Sequence, residues 1–180
     1  MLSTDLMPAR ERSGRLMIAL HGLGDSMEGY RWLPSVLNLP WLNYLLVNAP
    51  DEYFGGYSWY DIYGEAEPGI LRSRELLFDL LDTLGERGFS VADTILFGFS
   101  QGCLLTLEVG VRYPKKLAGL VGISGYAHDP DSLLRDMSPL AKQQRFLVTH
   151  GTQDPLLPIE PVRGQMRRLR LAGLSLEWHE

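Results

Sequence analysis

Gly98-Phe99-Ser100-Gln101-Gly102 sets a serine between two glycines, each two residues away. A serine hydroxyl becomes a nucleophile on a tight, strained turn, and glycines at these two positions let neighbouring backbone pass close to it. With 19 Gly and 12 Ser in the chain, chance supplies about 0.1 such patterns, so the surroundings must decide. They favour chemistry. The strand-like Thr94-Ile95-Leu96-Phe97 runs into the pattern, and a helical stretch, Cys103 to Tyr113, runs out of it. A helix N-terminus behind the serine also favours the negative charge that develops on a carbonyl oxygen under attack. The implied reaction is acyl transfer through Ser100.

Such a reaction needs two N–H donors for the oxyanion, an acid and a base. His21-Gly22-Leu23-Gly24-Asp25 follows an apolar run, and its small residues let a backbone N–H turn toward a bound carbonyl. The donors are assigned to the backbone of Leu23 and Gln101; an ordinary strand-to-helix turn is the alternative for the first. Asp154, in His150-Gly151-Thr152-Gln153-Asp154-Pro155, is the expected acid, a turn aspartate before proline being the alternative. The base is the difficulty. The chain has four histidines, and only His179 follows the acid in the order Ser, acid, His. Leu174, Leu176 and Trp178 share one strand face, which leaves His179 with Ser175 and Glu177 on the other, within a strand rather than on a loop beyond it.

The elements that must position these residues alternate along the chain. Leu16 to Leu20 and Tyr44 to Val47 are continuous apolar runs, the mark of strands buried on both faces. Tyr30, Leu33 and Leu37 suit a short helix between them. A glycine- and aromatic-rich loop is expected from Asp51 to Glu67, then a helix with Pro68 in its first turn and a stripe of Ile70, Leu71, Leu77, Leu80, Leu81 and Leu84. Further strands are expected at Thr94–Phe97, Leu117–Ile123, Phe146–Val148 and Leu174–Trp178, with a last helix over Pro158–Leu171. Strands separated by helices predict a mostly parallel sheet with helices on both faces and a site at the carboxyl ends of the strands.

Composition narrows the partners. A chain of 180 residues, 45% hydrophobic, suits one domain spanning residues 1–180. A net charge of -5 gives no footprint for nucleic acid, and no apolar run reaches the roughly 18 residues of a membrane span. No secretory signal is legible in Met1 to Gly14. The single cysteine, Cys103, forms no internal disulfide, so a cytoplasmic protein is expected. Cys103 lies beyond the central position of the serine motif, which argues against a cysteine nucleophile. Arg163, Arg167, Arg168 and Arg170 read as a solvated helix face.

The chain resembles the phospholipase/carboxylesterase family, which includes the acyl-protein thioesterases. The matching segments are His21-Gly22-Leu23-Gly24-Asp25, Asn48-Ala49-Pro50, Ser58-Trp59-Tyr60-Asp61, Gly98-Phe99-Ser100-Gln101-Gly102 and His150-Gly151-Thr152-Gln153-Asp154-Pro155, in family order. The resemblance implies an α/β-hydrolase fold and a serine hydrolase that uses neither metal nor cofactor on lipid-like or small acyl esters and thioesters. Ser100 and Asp154 carry over as nucleophile and acid, Leu23 and Gln101 as oxyanion donors, and Trp59 as a wall of the substrate pocket. Two departures are expected. The short segment before the first strand should leave the sheet without edge strands on that side. The family's catalytic histidine and final helix follow the strand at Leu174–Trp178, where this sequence stops, so a C-terminally truncated form is expected ahead of a degenerate member. The rival function is a non-catalytic binding or interaction module on the same scaffold; no residue selects an amide, as a peptidase would need.

Overall fold

The computed structural model describes residues 1–180. Nine strands form: β1 (Thr4–Met7), β2 (Leu16–Leu20), β3 (Asn43–Val47), β4 (Asp51–Tyr53), β5 (Gly56–Ser58), β6 (Thr94–Phe99), β7 (Gly119–Ile123), β8 (Arg145–Thr149) and β9 (Ser175–His179). Seven of them build the central sheet in the order β1-β3-β2-β6-β7-β8-β9. All neighbours are parallel except β1, which runs antiparallel to β3. Every residue of β2 and β3 is buried, as continuous apolar runs require of interior strands, whereas the edge strand β9 alternates.

Five helices connect the strands: α1 (Leu33–Leu37), α2 (Ala66–Asp82), α3 (Gln101–Arg112), α4 (Pro130–Arg135) and α5 (Ile159–Leu171). The main core joins alternate strand residues such as Ile18, Leu96, Leu120 and Val148 to Leu77, Leu81, Leu104, Leu133, Met166 and Leu169 of α2 to α5. A smaller core on the other face puts Leu33 of α1 against Met17, Tyr44, Leu46 and Phe97. Helices therefore cover both faces, unequally. Eleven of the twelve residues of α3 are buried, because it lies against β6 and β7 with α2 and α4 outside it.

Two expectations are corrected. The sheet does carry an edge strand on the N-terminal side, β1, paired from Thr4↔Val47 to Met7↔Tyr44. Four residues with a central Asp5, ending before Pro8, carry no apolar run, and such charge is how a sheet edge is kept from pairing further. The segment from Asp51 to Glu67 is likewise no plain loop. It opens with the β4–β5 hairpin, whose two turn residues Phe54 and Gly55 both have positive φ, 45° and 88°, as a type I′ turn demands. The expected stripe is buried except at Leu71, which faces outward, and α2 ends at Asp82, with Leu84 in a separate tight turn beyond it. No helix is long and apolar enough to cross a membrane.

Candidate active site

The loops that matter leave the sheet at one level. Leu20 of β2 is in register with Gly98 of β6, Gly98 with Gly122 of β7, and Gly122 with Val148 of β8. The segments after Leu20, Gly98, Gly122 and Val148 thus begin side by side, and the local sequence decides what each presents.

Ser100 joins β6 to α3 with φ 53° and ψ −113°, a conformation rare for a residue bearing a Cβ. Such strain costs on the order of 1–3 kcal/mol and persists only where the surroundings enforce it. Here they do. The Ser100 N–H donates to Ile123 O at 2.9 Å, and its carbonyl accepts from the N–H groups of Cys103 and Leu104. Both glycines of the motif have a steric reason: a Cβ on Gly98 would overlap the Gly102 carbonyl, and one on Gly102 would overlap the Leu20 carbonyl. Only glycines allow strand, turn and helix to cross this closely.

Gly22 adjoins the serine; a Cβ there would lie 3.3 Å from the Ser100 Cβ. Its loop is fixed by His21, which is fully buried. Nε2 of His21 accepts the Ala49 N–H at 3.0 Å, and since a backbone amide can only donate, the ring proton sits on Nδ1, 2.6 Å from the Gly22 carbonyl. Burial holds this imidazole below its ordinary pKa, offset in part by the Gly22 bond and the Asp25 charge, so it is neutral near pH 7. Leu23 lies in the turn after Gly22, outside any helix or strand. Gln101 opens α3, where first-turn N–H groups have no intrahelical acceptor.

The Gln101 side chain has a separate task. Its Oε1 accepts from the Trp59 N–H at 2.9 Å and the Ser58 hydroxyl at 3.3 Å, while its Nε2 donates to Tyr60 O at 2.9 Å. Trp59 has no exposed surface. Its indole N–H donates to His21 O at 2.9 Å, its ring lies 5.5 Å from that of His21, and its carbonyl accepts from the Ser73 hydroxyl. The expected pocket wall is thus an internal strut between the loop after β5 and the loop after β2. A fully buried ring offers no face to an acyl chain.

Asp154 lies beyond β8. Its Oδ1 accepts the N–H groups of Leu156 and Leu157 at 2.9 and 3.0 Å. These bonds, Leu157 first, hold its pKa below the usual carboxylate value, so it is ionised. The second oxygen, Oδ2, stands 4.0 Å from His150 Nε2, which makes its own 2.8 Å bond to Leu157 O. Two strand spacings separate β8 from β6, about 10 Å. Asp154 follows β8 by five residues, on the same side of the sheet as the Ser100 turn.

Three of the four imidazoles have hydrogen-bond partners of their own, and the fourth, His128, is exposed. His21 and His150 are buried in their loops, and His128 precedes α4 beside Asp129 and within the field of Glu108. His179 is in β9, three strand spacings or about 14 Å from β6, with Nε2 bonded at 2.6 Å to Glu177 on the exposed strand face. A concavity of about 550 Å³ opens at the other end of the sheet among Arg15, Ile95, Val121, Leu147 and Glu177, and shares no residue with these loops.

Residue-by-residue reading missed the side-chain roles of His21, Gln101, Ser73 and His150. The available signal was a histidine before glycine after two separate strands, and an amide at the start of an otherwise apolar helix.

Comparison with known proteins identifies the family. Residues 4–170 match the phospholipase/carboxylesterase family. Acyl-protein thioesterase 1 of Schizosaccharomyces pombe is 36% identical over 155 residues, covering 79% of this chain and 69% of that protein. Acyl-protein thioesterase 1 of Yarrowia lipolytica is 29% identical over 195 residues, covering 97% and 85%. The crystal structure of esterase PE8 superposes with a TM-score of 0.86 at 27% identity, covering 99% of this chain and 87% of that one. With its α/β-hydrolase sheet, its Ser100 turn and this match over most of its length, the chain belongs to the phospholipase/carboxylesterase family of thioesterase- and carboxylesterase-type hydrolases.

Proposed function

We propose that the chain, taken as one domain, cleaves carboxylic esters or thioesters through an acyl intermediate on Ser100, with Asp154 as the orienting acid and the N–H groups of Leu23 and Gln101 as oxyanion donors. The observation that carries this is the Ser100 backbone, held at φ 53° at the mouth of a helix N-terminus with Gly22 against its Cβ. A hydroxyl there is attached to no regular element, and the developing oxyanion falls beside two free amides. The related thioesterases and esterases support acyl esters and thioesters as the substrate class. A cytoplasmic setting is part of this reading, and neither a metal nor a cofactor enters it.

Deprotonating Ser100 requires a base, and an acid in the orienting position does not serve as one. The 180-residue chain should therefore hydrolyse p-nitrophenyl esters only by the residual of about 10³–10⁴ over water that oxyanion donors and binding supply without a triad. It should label weakly with fluorophosphonates. Imidazole added to solution should raise both reactions, and Ser100→Ala should remove the gain. Loss of the imidazole response with Ser100 intact would favour the second reading, a hydrolase scaffold kept as a binding module, which the placement of the four histidines supports. Turnover at rates typical of enzymes, abolished by His179→Ala, would instead make His179 the base.

A further inference from the structure

The peptide between Gly22 and Leu23 carries both the carbonyl that His21 binds and the N–H assigned to the oxyanion. It is trans, like every peptide bond in the chain, so the two groups point in opposite directions. The Gly22 carbonyl is turned inward, 2.6 Å from His21 Nδ1, and also accepts the Asp25 N–H at 3.3 Å. The Leu23 N–H must then point outward, on the side where Gly22 approaches Ser100. A glycine on each side of Leu23 leaves this peptide free to flip, and Gly24 is itself left-handed at φ 76°. Something has to select one of its two faces. Deepening the proposed acyl-transfer reading, on which it rests, we propose that His21 is the positioning residue of the oxyanion site: its Nδ1–H holds the Gly22 carbonyl inward and so aims the Leu23 N–H at the substrate oxygen.

The ring is built to keep that proton on Nδ1. Ala49 donates to Nε2, Trp59 closes one side of the ring at 5.5 Å and Tyr57 lies 6.3 Å away. The indole N–H takes the His21 carbonyl, which fixes the backbone from which the ring projects. Gln101 accepts the Trp59 N–H, so both proposed donors lean on one buried network. His21 touches no reacting atom. It acts through the peptide that it orients.

Two substitutions separate its bonds. In His21→Asn the amide nitrogen takes the place of Nδ1 and can still donate to Gly22, but nothing reaches Ala49. In His21→Gln the amide reaches the place of Nε2 and can satisfy Ala49, but the Gly22 carbonyl loses the Nδ1–H and keeps only the longer Asp25 bond. With imidazole supplied as base and p-nitrophenyl acetate as substrate, His21→Gln should lower Ser100-dependent kcat by about 10²–10³, the usual effect of one lost oxyanion donor, with KM nearly unchanged. His21→Asn should stay within about tenfold of the parent. A crystal structure of His21→Gln should show the 22–23 peptide turned over. An unturned peptide, or a turned one with unchanged kcat, overturns the proposal. Should the parent chain show no Ser100-dependent reaction at all, the functional reading fails, and a turned peptide still supports the orienting role. Nitrogen NMR of the imidazoles decides without any variant: His21 should be protonated at Nδ1 and bare at Nε2 near pH 7, and the opposite tautomer would refute it.

Discussion

Two strands of this sheet end in His-Gly, and the two loops that follow are built differently. After β2, His21 has both ring nitrogens occupied, and its neighbours Trp59, Gln101 and Ser73 bind one another's backbone. After β8, His150 is just as buried, yet only Nε2 has a partner and Nδ1 has none. Its loop is held by Asp154 through two backbone N–H groups, and Thr152, Gln153 and Leu156 are exposed. The side of the proposed oxyanion donors is a hydrogen-bonded network beside the main core. The side of the proposed acid is a local turn near the sheet edge. Fixed donors need the first, because a misaimed N–H is useless; a carboxylate that orients a neighbour tolerates the second.

The sharpest way to break this contrast is a methyl group on each side. Gly102→Ala drives a Cβ into the Leu20 backbone, which cannot yield as a side-chain tip can, and should cost about 3 kcal/mol in urea unfolding. Gly151→Ala, whose nearest neighbour would be the Asp154 nitrogen at 4.0 Å and whose φ is not positive, should fall within about 0.5 kcal/mol of the parent. Equal losses would show that the two sides are equally tight.

Acid titration of stability separates the same regions next. Burial holds His21 below its ordinary pKa, so the unfolded chain binds the proton first as pH falls below about 6.5. Stability should then drop from that pH down to the folded pKa, at no more than about 1.4 kcal/mol per pH unit for this one group. His21→Asn should flatten that part of the curve. Asp154 acts lower. Its folded pKa is depressed, so the stability it contributes is present above about pH 4 and lost as pH falls through the folded value. Asp154→Asn should remove only that lower step, and a smaller one, since the carboxylate is only half-buried and solvent screens it. The smallest effect belongs to the sheet edge: His179→Ala removes an exposed pair with Glu177 and should change stability by less than about 0.5 kcal/mol.

How much of this was legible in the chain follows from what each feature depends on. β2, β3 and β6 to β8 announce themselves through apolar runs, because burial on both faces leaves no choice of residue. β1 has one partner strand and a charge in the middle, so its identity comes from Asn43–Val47 and not from its own four residues. The hairpin at Asp51 was hidden because Phe54 takes a left-handed turn position usually filled by glycine, asparagine or aspartate. In the site, the Gly98–Gly102 pattern marked the Ser100 turn because its steric demands are local. The staples were not local: His21 reaches Ala49 across 28 residues and Gln101 reaches Trp59 across 42. A tryptophan in a loop gives no sign of which way it faces; a hydrogen bond to His21 O turns Trp59 inward.

Cys103, three residues past the serine, has no accessible surface, and Gly122 and Gly125 lie so close that any side chain there would meet its sulfur. Burial pushes its thiol up to about 12, so near pH 8 only about one molecule in 10⁴ would carry a thiolate. A disulfide reagent must therefore wait for α3 to lift away, and its slow reaction becomes a clock for the opening of the turn that holds Ser100. The chain contains no second thiol to confuse the signal. An ester analogue seated on Ser100 should slow that clock, which makes the buried sulfur a silent witness to occupancy even where no product is released.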